Sequence, residues 1–138
     1  MNPSTPPTGT MGRSTLAIIA GLIFTVVASL GIDELFHALK VYPPHGAPMP
    51  EPSLNLLALS YRLVVDTAGC YIAARLAPAQ PMKHALILGG IGTVLGIAGV
   101  VVAVMMRLDP LWYPILLAAS SMPTAWLGGY LFVRRAAV

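Results

Sequence analysis

Apolar residues fill four long stretches of this chain, and polar residues collect in the gaps between them. The first run goes from Leu16 to Ile32 and keeps a helical pattern through Asp33, Glu34 and His37 to about Leu39. With Ser14 as its N-cap it predicts a helix over 14–40. Segment 41–52 (VYPPHGAPMPEP) holds five prolines in twelve positions, which excludes a helix or a central strand and makes it an exposed loop. A second helix is expected over 53–77, ending before Pro78 and Pro81, with Arg62 and Asp66 in its middle. A third, over 82–106, has no charged residue between His84 and Arg107. Asp109-Pro110 reads as an N-cap followed by proline at the first helical position and opens a fourth helix over 110–134. About 20 apolar residues in a helix cross a bilayer core, so the pattern predicts an all-α integral membrane four-helix bundle, with 13–138 as one domain.

Residues 1–12 (MNPSTPPTGTMG) carry Pro, Ser, Thr and Gly without apolar periodicity and predict a disordered tail, with Met11 as an alternative start. A cleaved signal peptide is the rival reading of the first run, because Arg13 precedes it and Val27 with Ser29 forms a weak cleavage site. The run is long for a signal sequence and continues into further helical sequence.

Composition strengthens the membrane reading. The chain is 57% hydrophobic and 9% charged, against about 25% charged in a soluble domain. A soluble protein of this length must cover itself with polar groups, whereas a chain in lipid need not. The sequence pI of 9.4 does not imply a nucleic-acid partner, which needs Lys and Arg clustered on one face; apart from Arg62 the basic residues stand at the ends of apolar runs. These residues set orientation. With four spans, Arg13, Arg75, Lys83, Arg134 and Arg135 share one side and Lys40 and Arg107 the other, so both termini and the middle loop are expected in the cytoplasm. Tyr42, Trp112 and Tyr113 then mark the outer interface and Trp126 and Tyr130 the inner one.

Cys70, the one cysteine, lies inside an apolar run and reads as a packing residue. The third helix contains Gly92-xxx-Gly96, a spacing that lets a neighbouring helix approach backbone to backbone, either within one chain or across a homodimer. Pro123 leaves the carbonyl of Ala119 without its usual donor and is expected to bend the fourth helix, with Ser120, Ser121 and Thr124 partly satisfying the freed backbone.

Ionisable groups within a membrane helix are costly and therefore mark candidate sites. Arg62 and Asp66, four residues apart, lie on one helix face and can neutralise each other. The first helix runs outward and the second inward, and side chains lean toward their own N-terminus. Asp33 and Glu34 thus lean into the membrane while Arg62 leans toward the outer interface, which predicts one charged network of Asp33, Glu34, Arg62 and Asp66. His37 and Tyr61 are candidates to complete a polar pocket beside it. Glu34 and His37 form a single Glu-x-x-His, whereas carboxylate-bridged di-metal sites need two copies plus two further Glu. No metal site is therefore assigned. No cofactor is expected either: His37 and His45 fall at the outer side and His84 at the inner, so none pair across a buried haem. Phosphate-loop, nucleophile-elbow and zinc-helix motifs are missing.

The stretches Val41 to Pro50 (VYPPHGAPMP), Pro81 to Gly92 (PMKHALILGGIG) and Ala125 to Gly129 (AWLGG) resemble parts of small four-helix bacterial inner-membrane proteins. That resemblance implies a fold and a location but no activity, so no functional residue is carried over. In size and span count the chain also resembles the small multidrug-resistance transporters, whose first helix carries a membrane-embedded Glu that binds protons and cationic drugs. Here the acidic pair stands late in the first helix and Arg62 is available to neutralise it, so no role is transferred. Three functional readings remain. The protein is an accessory subunit or small binding module without enzymatic activity, a proton- or ion-coupled transporter working as a homodimer through Asp33, Glu34, Arg62 and Asp66, or a metalloenzyme using Glu34 and His37. Whether a cavity reaches Asp66 from water separates the first two, since a transport carboxylate must be accessible and a structural one need not be.

Overall fold

The computed structural model describes residues 8–108 and 110–138. Its four helices are α1 (Thr8–Ala38), α2 (Pro52–Leu76), α3 (Pro81–Met105) and α4 (Trp112–Ala136), with no strand among the described residues. Each is long and apolar enough to cross a membrane. The chain runs up and down, so the start of α1, the 77–80 turn and the end of α4 form one end of the bundle (the tail end), and the 39–51 connection, the end of α3 and the start of α4 form the other (the loop end).

Helix α1 starts six residues before Ser14, which lies inside the helix. Of the expected tail, 8–12 therefore belongs to the first turns of α1, and 1–7 lie outside the described residues. Thr15 Oγ1 donates back to the Met11 carbonyl at 2.9 Å, an interior helical bond that a terminating cap at Ser14 would not leave room for. Helix α4 starts at Trp112 rather than 110. Its N-cap position is Leu111, without a side-chain cap, and Asp109 lies outside the described residues.

Two helix ends show how the loop end is built. Lys40 has φ 58° and Arg107 φ 54°. Val41 N donates to Phe36 O and Lys40 N to His37 O; Leu108 N donates to Ala103 O and Arg107 N to Val104 O. Both are Schellman closures with a left-handed residue just past the helix, a position usually held by glycine. Lysine and arginine bear some backbone strain there, but their charges sit at the negative end of the helix dipole.

Small residues fill the interior and large aliphatic ones face outward. The buried set is mainly alanine (Ala17, Ala58, Ala73, Ala74, Ala85, Ala103, Ala118, Ala125), whereas Leu16, Val27, Val64 and Val94 are each more than 60% exposed. Water would make such a surface an aggregation site, whereas lipid would not, and close helix approach through small residues is how membrane helices associate. A Cβ on Gly96 would meet Ala118 Cα and Cβ at 2.8 Å, one on Gly92 the Ser121 hydroxyl at 3.3 Å, and one on Gly89 the Ala125 side chain. The Gly92-xxx-Gly96 face thus packs on α4 within one chain. Gly21 and Gly69 bring α1 and α2 together in the same way, and Gly128 packs on the α2 backbone at Thr67 and Tyr71.

Cys70, Ala73, Ala74, Ala85, Leu88 and Ala125 form a buried core in the tail half. Here Gly21 of α1 meets Leu88 of α3. Helices α1 and α4 do not pack against each other among the described residues. Pro123 lies inside a continuous α4, with Thr124 Oγ1 bonded to Ser120 O and Ser121 O and the Ser120 and Ser121 hydroxyls to Leu117 O. The hydroxyls thus serve carbonyls on either side of Ala119 rather than Ala119 itself.

Candidate functional site

The opposed lean of α1 and α2 determines the polar contacts of the loop half. Arg62 starts deeper in the bundle than Asp33 and its side chain climbs toward the N-terminus of α2, where Nη2 meets Asp33 Oδ2 at 2.5 Å. Tyr61, one residue earlier, donates its hydroxyl to Asp33 Oδ1. Tyr42, in the loop after α1, in turn donates to the Tyr61 hydroxyl at 2.9 Å. Burial pushes the Tyr42 phenol above the usual tyrosine range, so it keeps the proton it donates. Phe36 packs between these two tyrosines, with ring centroids 5.3 and 5.6 Å away. The loop is further held by Asn55, whose Nδ2 donates to Met49 O and Glu51 O.

The expected four-residue charged network therefore resolves into one interhelical pair and two residues that stand apart from it. Glu34 is rotated about 100° from Asp33 around the helix. It faces the loop, where Oε1 lies 3.4 Å from His45 Nε2. Asp66 has no ion pair within 4 Å among the described residues; the Arg62 guanidinium pairs with Asp33 instead. The expected polar pocket divides likewise. Tyr61 belongs with Asp33, whereas His37 stacks on His45 with centroids 4.0 Å apart.

Asp66 lines a cavity of about 360 Å³ bounded by all four helices. The cavity runs from the tail-half core at Cys70 and Leu88 into the loop half, and its walls are mostly apolar: Leu22, Val26, Leu30, Leu88, Leu95 and Leu117. The hydroxyls of Thr25, Ser121 and Thr124 also line it, but each bonds to a carbonyl of its own helix. The Asp66 carboxylate and the Ser29 hydroxyl line it without a hydrogen bond or ion pair to a described residue. Arg62 lines it too, and its Nε is buried without a hydrogen-bond partner among the described residues. Asp66 and Arg62 stand out as candidates in the sequence, but the cavity does not, because it depends on the gap between α1 and α4.

No family model, curated protein or solved structure matches the chain. The resemblance to small bacterial inner-membrane proteins thus rests on its three short stretches alone.

Proposed function

We propose that the protein is a small, non-enzymatic binding module of a bacterial inner membrane, spanning it four times with both termini in the cytoplasm, and that its cavity takes a compact apolar molecule bearing one positive charge. The single observation that carries this reading is Asp66 on the cavity wall without an ion pair within 4 Å among the described residues. Asp33 takes the Arg62 guanidinium. A carboxylate among apolar walls is protonated or draws a cation. A volume near 360 Å³ falls in the range of small-molecule sites, which combine apolar walls with a few polar groups that orient the ligand.

A second reading, a proton- or ion-coupled transporter working as a homodimer, is favoured by the same carboxylate, since a transport site must load and unload its charge. Transport adds the requirement of access from both sides. The experiment compares the benzyltrimethylammonium ion with its neutral isostere neopentylbenzene on purified protein in detergent. Saturable binding of the cation at least about tenfold tighter, or about 1.4 kcal/mol, supports the cavity reading; equal affinity or no binding refutes it. Uptake of the same cation into proteoliposomes under a proton gradient distinguishes transporter from module.

A further inference from the structure

Outside this cavity, at the loop end, the fold gathers three side chains that the sequence holds eleven residues apart. Glu34 and His37 lie one turn apart on α1. The Schellman closure at Lys40 turns the chain back, and Pro43 and Pro44 carry His45 over the end of α1. The result is a cleft lined by Glu34, His37, His45 and Lys40. One potential ligand atom from each of Glu34, His37 and His45 lies within 4.8 Å of the other two. We infer that Glu34, His37 and His45 form a binding site for a divalent transition-metal ion of the zinc type.

Three observations support it. First, the donor set of two imidazoles and one carboxylate suits zinc and its neighbours in the first transition row. Three protein ligands also leave a coordination position for water. Second, His45 Nε2 and Glu34 Oε1 are 3.4 Å apart. Two ligands about 2.0–2.1 Å from a tetrahedral ion stand about 3.3 Å from each other, so an ion fits between these two atoms, and the His37 ring, stacked on His45 with centroids 4.0 Å apart, must turn out of the stack to bring its Nε2 to the same ion. Third, His37 Nδ1 lies 2.8 Å from the Asp33 carbonyl oxygen. A carbonyl only accepts, so Nδ1 carries the proton and Nε2 presents its lone pair. A backbone carbonyl behind a histidine is the outer-shell arrangement that fixes a metal-binding tautomer. The backbone there is fixed in turn, because Tyr42 N donates to Phe36 O and the buried Tyr42 ring packs against both Phe36 and His37. The Lys40 ammonium opposes a cation in the same cleft, but it sits on a flexible exposed stem that can turn to water. Neither the Asp33–Arg62 pair nor Asp66 takes part, so this site is independent of the cavity.

The test is titration of zinc chloride into the full-length protein, free of any histidine tag, by calorimetry, with cobalt(II) absorption as a second readout of coordination. One ion per chain is expected. His37→Ala, His45→Ala and Glu34→Gln should each weaken binding by at least roughly tenfold, the lower bound for loss of an outer-shell partner. Lys40→Ala should bind as tightly or more tightly, and His84→Ala, at the tail end, should bind as the parent does. Glu34→Gln leaves the loop intact and so reads the site even where a loop variant unfolds. Absence of saturable binding overturns the inference. Binding that survives both Glu34→Gln and His45→Ala, or that His84→Ala weakens equally, does so too.

Discussion

Arg62→Ala tests the interhelical pair. The change removes the partner of Asp33 Oδ2 and leaves that carboxylate, whose side chain is 17% exposed, with only the Tyr61 hydroxyl. Breaking a buried pair from one side costs about 3–5 kcal/mol, because a charge is left uncompensated. Arg62 itself is 26% exposed, which places the expected loss near the lower figure, about 3 kcal/mol. Adding Asp33→Ala removes the stranded charge, so the double variant should recover part of the loss, with a coupling energy of about 1–3 kcal/mol. Glu34→Ala, whose carboxylate faces His45, should add to Arg62→Ala without coupling. The assay is reversible unfolding in mixed detergent micelles, followed by circular dichroism, on the three single and two double variants. Losses for Arg62→Ala and Asp33→Ala that add within about 0.5 kcal/mol would refute the pair, and coupling to Glu34 would mean that the carboxylates exchange roles.

Gly96→Ala places a Cβ 2.8 Å from the Ala118 backbone, so α3 and α4 must separate and stability should fall by about 1–3 kcal/mol; Gly90→Ala, which meets nothing within 4 Å, should be neutral or gain about 0.5–1 kcal/mol, both read by thermal denaturation in detergent. Tyr61→Phe removes a donor to a charged acceptor and should cost about 1.5–3 kcal/mol, against about 1 kcal/mol for Tyr42→Phe, in the same unfolding assay. Ala47→Cys in a Cys70→Ala background should react with a membrane-impermeant maleimide on intact cells; labelling only from the cytoplasmic face would reverse the proposed orientation.

The helices were legible because uninterrupted apolar runs and proline pairs are strong local signals. The Arg62–Asp33 contact was legible because the lean of side chains on antiparallel helices follows from backbone geometry alone. Other features were not. The meeting of His45 with Glu34 and His37 depends on a left-handed Lys40, and helix closures of this kind are normally signalled by glycine. Gly21 and Gly69 stand singly in their helices, so no spacing motif marked their contact, whereas Gly92-xxx-Gly96 advertised itself and left only its partner, α4, undetermined. Ser14 has the side chain of a cap and so predicts a later start for α1 than the structure shows, although its neighbours continue the helical hydrogen bonding. The cavity at Asp66 is a property of how four helices pack, and no single stretch of sequence encodes it.

A charged ligand held by Asp66 in that cavity must lose affinity when the charge is removed. Asp66→Asn keeps the shape of the side chain and removes its charge, so it separates electrostatic recognition from packing. Calorimetric titration of benzyltrimethylammonium into both proteins should show the affinity falling by at least about tenfold in Asp66→Asn, about 1.4 kcal/mol, while neopentylbenzene binds both alike. Unchanged affinity for the cation in Asp66→Asn would contradict the account.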